Sequence, residues 1–135
     1  MSRANAFVIG QSYGFEDSSF TLLGRVRGSD RQLLQQADLT SISYVVTDLS
    51  DDSEVDSGTL TSADVISDTP VTDDDFWEAQ NPGDTIGYNL EIVVPKGWCP
   101  NGSRTYQFEF TFQPTTGSDY EFIVGHKHTT TAKAG

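Results

Sequence analysis

The stretch "TYQFEFTFQ" (residues 105–113) decides how the chain is read. Tyr106, Phe108, Phe110 and Phe112 fall at every second position, with Gln107, Glu109 and Thr111 between them. Successive side chains of a strand point to opposite faces, so this spacing builds one apolar and one polar face. Downstream, "DYEFIVGHKH" (119–128) repeats the pattern with Tyr120, Phe122 and Val124. The linking "PTTGS" is a short glycine-containing loop, so the two segments read as a hairpin. Upstream, "YNLEIVV" (88–94), "SISYVVTDL" (41–49) and "SFTLLGRVRG" (19–28) alternate in the same way. Weaker strands are expected at "EVDSGTLT" (54–61) and "DVISD" (64–68), both pairing with the 41–49 strand across the turn "SDDS".

About seven short strands, punctuated by turn signals, predict an all-β fold: an antiparallel immunoglobulin-like β-sandwich. One-sided alternation excludes a parallel sheet covered on both faces. Short helical turns are expected within 29–39 and 73–81, the second capped by Asp73 or Asp74 and ended by "NPGD". Between two strands lies "DTPVTDDDFWEAQ" (68–80), which reads as a crossover. Pro70 stops strand pairing there. Asp73 to Asp75 are expected in solvent, and Trp77 is expected to be the buried anchor. The predicted organisation is an N-terminal arm (1–17), the sandwich (18–128) and a C-terminal tail (129–135), both ends being polar and rich in small residues.

The chain has 135 residues, which suits one domain with a real core. Eight basic against twenty acidic residues give a net charge of −12, which argues against binding nucleic acid or an anionic membrane. The single cysteine, Cys99, excludes an intrachain disulfide. The start of the chain lacks the features of a signal peptide, and no stretch approaches the ~20 apolar residues of a membrane helix.

Chemistry-bearing patterns are weak. Asp52, Glu54 and Asp56 alternate in "DDSEVDSG" (51–58), as calcium-loop ligands do, but the sixth and twelfth positions hold Ser57 and Ala63 instead of Gly and Glu. The segment therefore reads as a solvated turn, with no metal. His126 and His128 share a face in a strand, a spacing at which two imidazoles can hold one metal. With no third ligand type nearby they read as an exposed polar strand end. Cys99 in "GWCPNG" reads as a small apolar residue in a turn. No nucleophile elbow, carboxylate pair in a buried pattern or phosphate loop is present, so no catalytic residue and no cofactor is expected. Arg25, Arg27 and Arg31 cluster in sequence and read first as solvated strand and turn positions, with a local basic patch suited to an acidic neighbour as the second reading.

In their order, "ISYVVTDL", "GTLTSADVISDTPVTDDDFW", "GYNLEIVVP" and "YQFEFTFQPTTGSDYEF" resemble small immunoglobulin-like proteins encoded among the structural genes of tailed bacteriophages and prophages. The resemblance covers roughly residues 20–124 and rests on Tyr44, Val46, Asp48, Asp68, Thr69, Gly87, Tyr88, Asn89, Val94 and Pro95. The chain departs from that pattern with one extra residue before Trp77 and a longer "KGWCPNGSR" (96–104). The resemblance implies a non-enzymatic virion component, assembled in the host cytoplasm. One small domain with arms favours a capsid decoration (cement) protein, and a neck, head-tail connector or baseplate accessory is the alternative. The expected partners are the major capsid protein or connector and tail subunits, with many copies present or a homo-oligomer. Phe7, Val8, Ile9, Tyr13 and Phe15 are the expected anchors of the N-terminal arm, with Arg25 and Arg27 as basic contacts. The apolar "FVI" (7–9) reads equally well as the first strand of the sandwich. A carbohydrate-binding module, with Trp77 and Trp98 stacking on sugar rings, is a further reading that requires both indoles to be exposed.

Overall fold

Tyr106, Phe108, Phe110 and Phe112 are all completely buried. The alternation in "TYQFEFTFQ" thus forms the inner wall of a two-sheet structure. The computed structural model describes residues 6–28, 30–115 and 121–134. Its elements run β1 (Ala6–Val8), β2 (Gln11–Phe15), β3 (Phe20–Gly24), β4 (Leu39–Asp48), β5 (Ser53–Leu60), α1 (Ser62–Val65), β6 (Ile66–Val71), α2 (Asp75–Gln80), β7 (Tyr88–Val94), β8 (Thr105–Pro114) and β9 (Phe122–Thr131). One sheet has the order β1-β3-β7-β6 and the other β2-β9-β8-β4-β5. Leu22, Leu90 and Ile92 from the first face Ile42, Val46, Phe108 and Phe110 from the second in one apolar core. The structure is mostly β, as expected, with two sheets sharing this core. Tyr120 and the centre of the "PTTGS" loop lie outside the described residues, although β8 and β9 pair antiparallel up to Phe112 and Phe122.

Several expectations need correction. The sheets are mixed: β1 runs parallel to β3, and β2 runs parallel to β9. Among the described residues there are nine strands, where about seven were expected. The added ones come from the segment read as an N-terminal arm, which divides between the sheets at Gly10. The C-terminal boundary also moves, because β9 continues to Thr131 in register with Phe15. Beyond it, the Lys133 amide donates to Glu16. The second weak strand joins the other sheet: residues 62–65 coil into α1, and β6 pairs with β7, not with β4. Pro70 lies inside β6, which is tolerated because β6 is an edge strand that pairs only at Ile66 and Val71.

The crossover explains the second, smaller core. Trp77 is 4% exposed and packs with Ala6, Leu23 and Tyr88 on the outer face of the four-stranded sheet. The Asp run is not uniformly wet as expected. Asp73 and Asp75 are exposed, but Asp74 is buried, where it caps α2 by accepting from the Trp77 amide at 3.0 Å. Asp84 closes the clasp. Its carboxylate accepts from the Trp77 indole at 2.9 Å and the Gly87 amide at 2.8 Å, and it pairs with Arg25. The indole first, then the amide, hold Asp84 well below the usual carboxylate range.

At the far end, the β7–β8 loop folds Trp98 into the core against Tyr44, with ring centroids 4.6 Å apart, and its indole donates to Asp56. Tyr106, at the start of β8, reaches back five residues: its hydroxyl accepts from the Asn101 amide at 3.0 Å. Asp48 is buried and paired with Arg104 at 2.7 Å.

Gly87 separates conformational from steric need. Its φ is +88°, and an added Cβ would lie 2.1 Å from the Val71 carbonyl oxygen. Gly83 has φ +79° with open space around it. Gly83→Ala is expected to cost about 1–2 kcal/mol, the left-handed penalty alone. Gly87→Ala is expected to cost clearly more, since it must also displace β6. Urea unfolding of both variants checks this, and equal losses would contradict it.

Candidate functional site

The residues expected to anchor the arm divide into two groups. Phe7 and Ile9 pack on the main core, and Val8 packs on the Trp77 cluster. The Phe7 ring meets Phe20 edge-on at 5.5 Å. Ile9 lies over Gly24, which has no side chain to obstruct it. Phe7 and Val8 therefore lie in the first strand of the fold, one of the two readings of "FVI", and Ile9 follows it with its amide bonded to the Leu23 carbonyl. Tyr13 and Phe15 differ: they stand 67% and 57% exposed on the outer face of β2. Beside them an open groove of about 390 Å³ is lined by Phe7, Tyr13, Phe15, Ser19, Phe20 and His128.

The arginines do not join this surface. Arg25 lies over the Trp77 ring at 5.7 Å, pairs with Asp84 and donates to the Gly87 carbonyl. Arg25 is therefore paired within the chain. Arg27 is exposed and donates to the Arg31 carbonyl. It lines a separate polar groove with Asp30, Asp38 and Asp68.

Beneath the aromatic groove lies a polar cluster that sequence reasoning misplaced. His126 and His128 are each 1% exposed, not an exposed strand end. Their shared face points between the sheets, where Phe7 and Phe20 of the opposite sheet cover the rings. Ser12 of β2 sits between them, its hydroxyl 2.7 Å from His126 Nε2 and 2.6 Å from His128 Nδ1. The Gly10 amide donates to His126 Nδ1 at 3.1 Å. That bond assigns the tautomers: His126 carries its proton on Nε2 and donates to Ser12, which donates in turn to His128 Nδ1. His128 stacks on Phe20 at 4.2 Å, and His126 on Phe108 at 5.8 Å. Gly14 leaves the room that His128 occupies. "HKH" was the available signal; its partner Ser12 lies more than a hundred residues away in sequence.

A serine bonded to imidazole suggests a nucleophile, but this hydroxyl is 2% exposed and held between two rings. It does not line the groove. The arrangement instead ties the first strands to the last. Burial, with the neighbouring ring's charge adding at His126, lowers both imidazoles to about 4, so both are neutral at pH 7. Burial likewise pushes the Cys99 thiol up to about 12, leaving it a packed apolar residue.

The carboxylates of the calcium-like segment diverge. Asp56 turns inward to accept from Tyr44 and Trp98, while Glu54 accepts from the Ser57 hydroxyl. Among the described residues, no three His, Cys, Asp or Glu side chains are grouped to hold a metal ion. No helix among them is long and apolar enough to cross a membrane. Comparison with family models, curated proteins and solved structures found no match for this chain.

Two outcomes follow for the buried relay. Ser12→Ala removes the partner of two buried ring nitrogens and is expected to cost about 1–3 kcal/mol at pH 7. The wild type is expected to lose stability as pH falls from 6.5 toward 4, since the unfolded chain takes up imidazole protons that the folded chain refuses. Urea midpoints across this range measure it. A profile flat to pH 4.5 would contradict neutral buried imidazoles, and a loss confined to lower pH would belong to carboxylates.

Proposed function

We propose that this chain is a non-enzymatic structural subunit of a tailed-phage virion, with capsid decoration as the first assignment. It would bind neighbouring capsid subunits in many copies and stabilise the head by multivalent contact. A neck, head-tail connector or baseplate accessory role is the alternative. The observation that carries the reading is the exposed Tyr13–Phe15 pair beside an aromatic groove, presented on a rigid acidic body. Exposed aromatic side chains rimmed by polar residues favour protein contact. The resemblance in residues 20–124 supplies the class of assembly.

An immunoglobulin-type fold underlies this proposal. The order β1-β3-β7-β6 against β2-β9-β8-β4-β5 corresponds to strands A-B-E-D against A′-G-F-C-C′. Tyr106, bonded to the backbone of Asn101, supports the same reading, since such sandwiches carry a tyrosine corner at the start of strand F. The parallel β1–β3 pairing departs from that type. Phe108, two residues after that tyrosine, stacks on Phe20 of β3 at 6.2 Å, where antibody domains join strands B and F by a disulfide.

The sugar-stacking reading of Trp77 and Trp98 is not carried forward, because both indoles are 4% exposed and their N–H groups are bonded to Asp84 and Asp56. Acrylamide quenching of the folded protein should therefore be weak and rise on unfolding; strong quenching in the native state would reopen that reading.

Labelling the protein in purified particles tests the main proposal. The expected result is a multicopy signal on the head, and particles lacking the protein should release their genome at lower temperature. Its absence from particles would overturn the virion assignment, and a signal at the neck or baseplate would select the alternative.

A further inference from the structure

Among the described residues the two sheets have four edge strands, and three of them are guarded. β5 carries Glu54 and Asp56. β6 carries Asp68 and Pro70. β1 is three residues long and lies beside Phe76 of α2. Charges, prolines and covering elements are what keep an edge strand from pairing with another chain. β2 has none of them. Its residues Gln11, Ser12, Tyr13, Gly14 and Phe15 include no charge and no proline, and no described strand lies on its outer side. On a chain of net charge −12, this is an uncharged strand with two aromatic rings in solvent.

We propose that the open edge of β2 pairs with β2 of a second copy of this chain, antiparallel about a twofold axis at Tyr13. The register is self-complementary. Gln11 faces Phe15 of the other copy, Ser12 faces Gly14, and Tyr13 faces Tyr13. No like charges meet, whereas the same pairing through β5 or β6 would set carboxylates against carboxylates. The two five-stranded sheets become one of ten strands, and four exposed rings gain cover. The Ser12–imidazole relay holds β2 in place from behind, so little ordering is left to be done on association. Five residues make a small interface, so the dimer is weak and forms where copies are concentrated. The pairing is a property of the isolated chain and stands whether or not the protein belongs to a virion.

Sedimentation velocity of the full chain, from micromolar to near-millimolar concentration, should show a reversible monomer–dimer equilibrium. The Tyr13→Lys/Phe15→Lys double variant alters two exposed side chains. It should keep the wild-type melting temperature and stay monomeric. Val93→Lys, at an equally exposed position (65%) on the other sheet, should still dimerise. Directly opposed residues have Cβ atoms about 4.5–5.5 Å apart, so Tyr13→Cys should oxidise to a linked dimer faster than Ile123→Cys. The native Cys99 is buried and does not compete. A monomer at every concentration, a dimer that survives the two lysines, or equally fast linking at positions 13 and 123 would each overturn the proposal.

Discussion

Phe108 is the point through which the two sheets are held together. Its ring meets Phe20 of the opposite sheet at 6.2 Å, Trp98 at 5.3 Å, Phe110 at 6.4 Å and His126 at 5.8 Å. With one cysteine there is no covalent staple, so apolar burial must supply the cohesion. Truncating such a ring costs about 3–5 kcal/mol, a large share of the ~5–15 kcal/mol by which a domain is stable. The partners of Phe108 come from β3, the β7–β8 loop, β8 and β9, so one side chain couples segments spread along the chain.

Around that centre the chain buries polar groups, each with a partner. Asn89 bonds the backbone of Val26 and Leu34 and fastens the irregular segment after β3. Asp74 caps α2, Asp48 holds Arg104, and Asp56 receives Tyr44 and Trp98. No buried side-chain polar atom lacks a partner among the described residues. These bonds sit where strands end and loops turn back, so they position the loops while the aromatic core holds the sheets.

The candidate surface follows from the same economy. Ser12 and Gly14 point inward because two imidazoles and an aromatic wall already fill the space beneath them. Their neighbours Tyr13 and Phe15 must then point outward, since side chains alternate along a strand. The exposed aromatic pair is thus the geometric counterpart of the buried serine relay. It also explains why β2 was hard to read. Its apolar residues lie on the solvent side and its small polar ones on the core side, the inverse of the pattern by which a half-buried strand is recognised. "HKH" misleads for the same reason: a polar strand end becomes interior only because a distant segment covers it.

From sequence alone, the strands with strong alternation were legible: β3, β4, β7, β8 and the aromatic part of β9, together with the buried Trp77 and its Asp cap. Local chemistry suffices there, because period-two apolar patterning and capping residues act over a few positions. Tyr13 and Phe15 were singled out from the sequence, but not as an exposed pair separated from Phe7, Val8 and Ile9. Tertiary structure alone decided that the first ten or so described residues divide between two sheets, that two pairings are parallel, that β6 changes sheet, that Arg25 is paired with Asp84 over Trp77, and that the two histidines face inward. Each of these depends on which segment lies alongside which, and the free energy that selects the neighbour comes from burial between residues far apart in the chain.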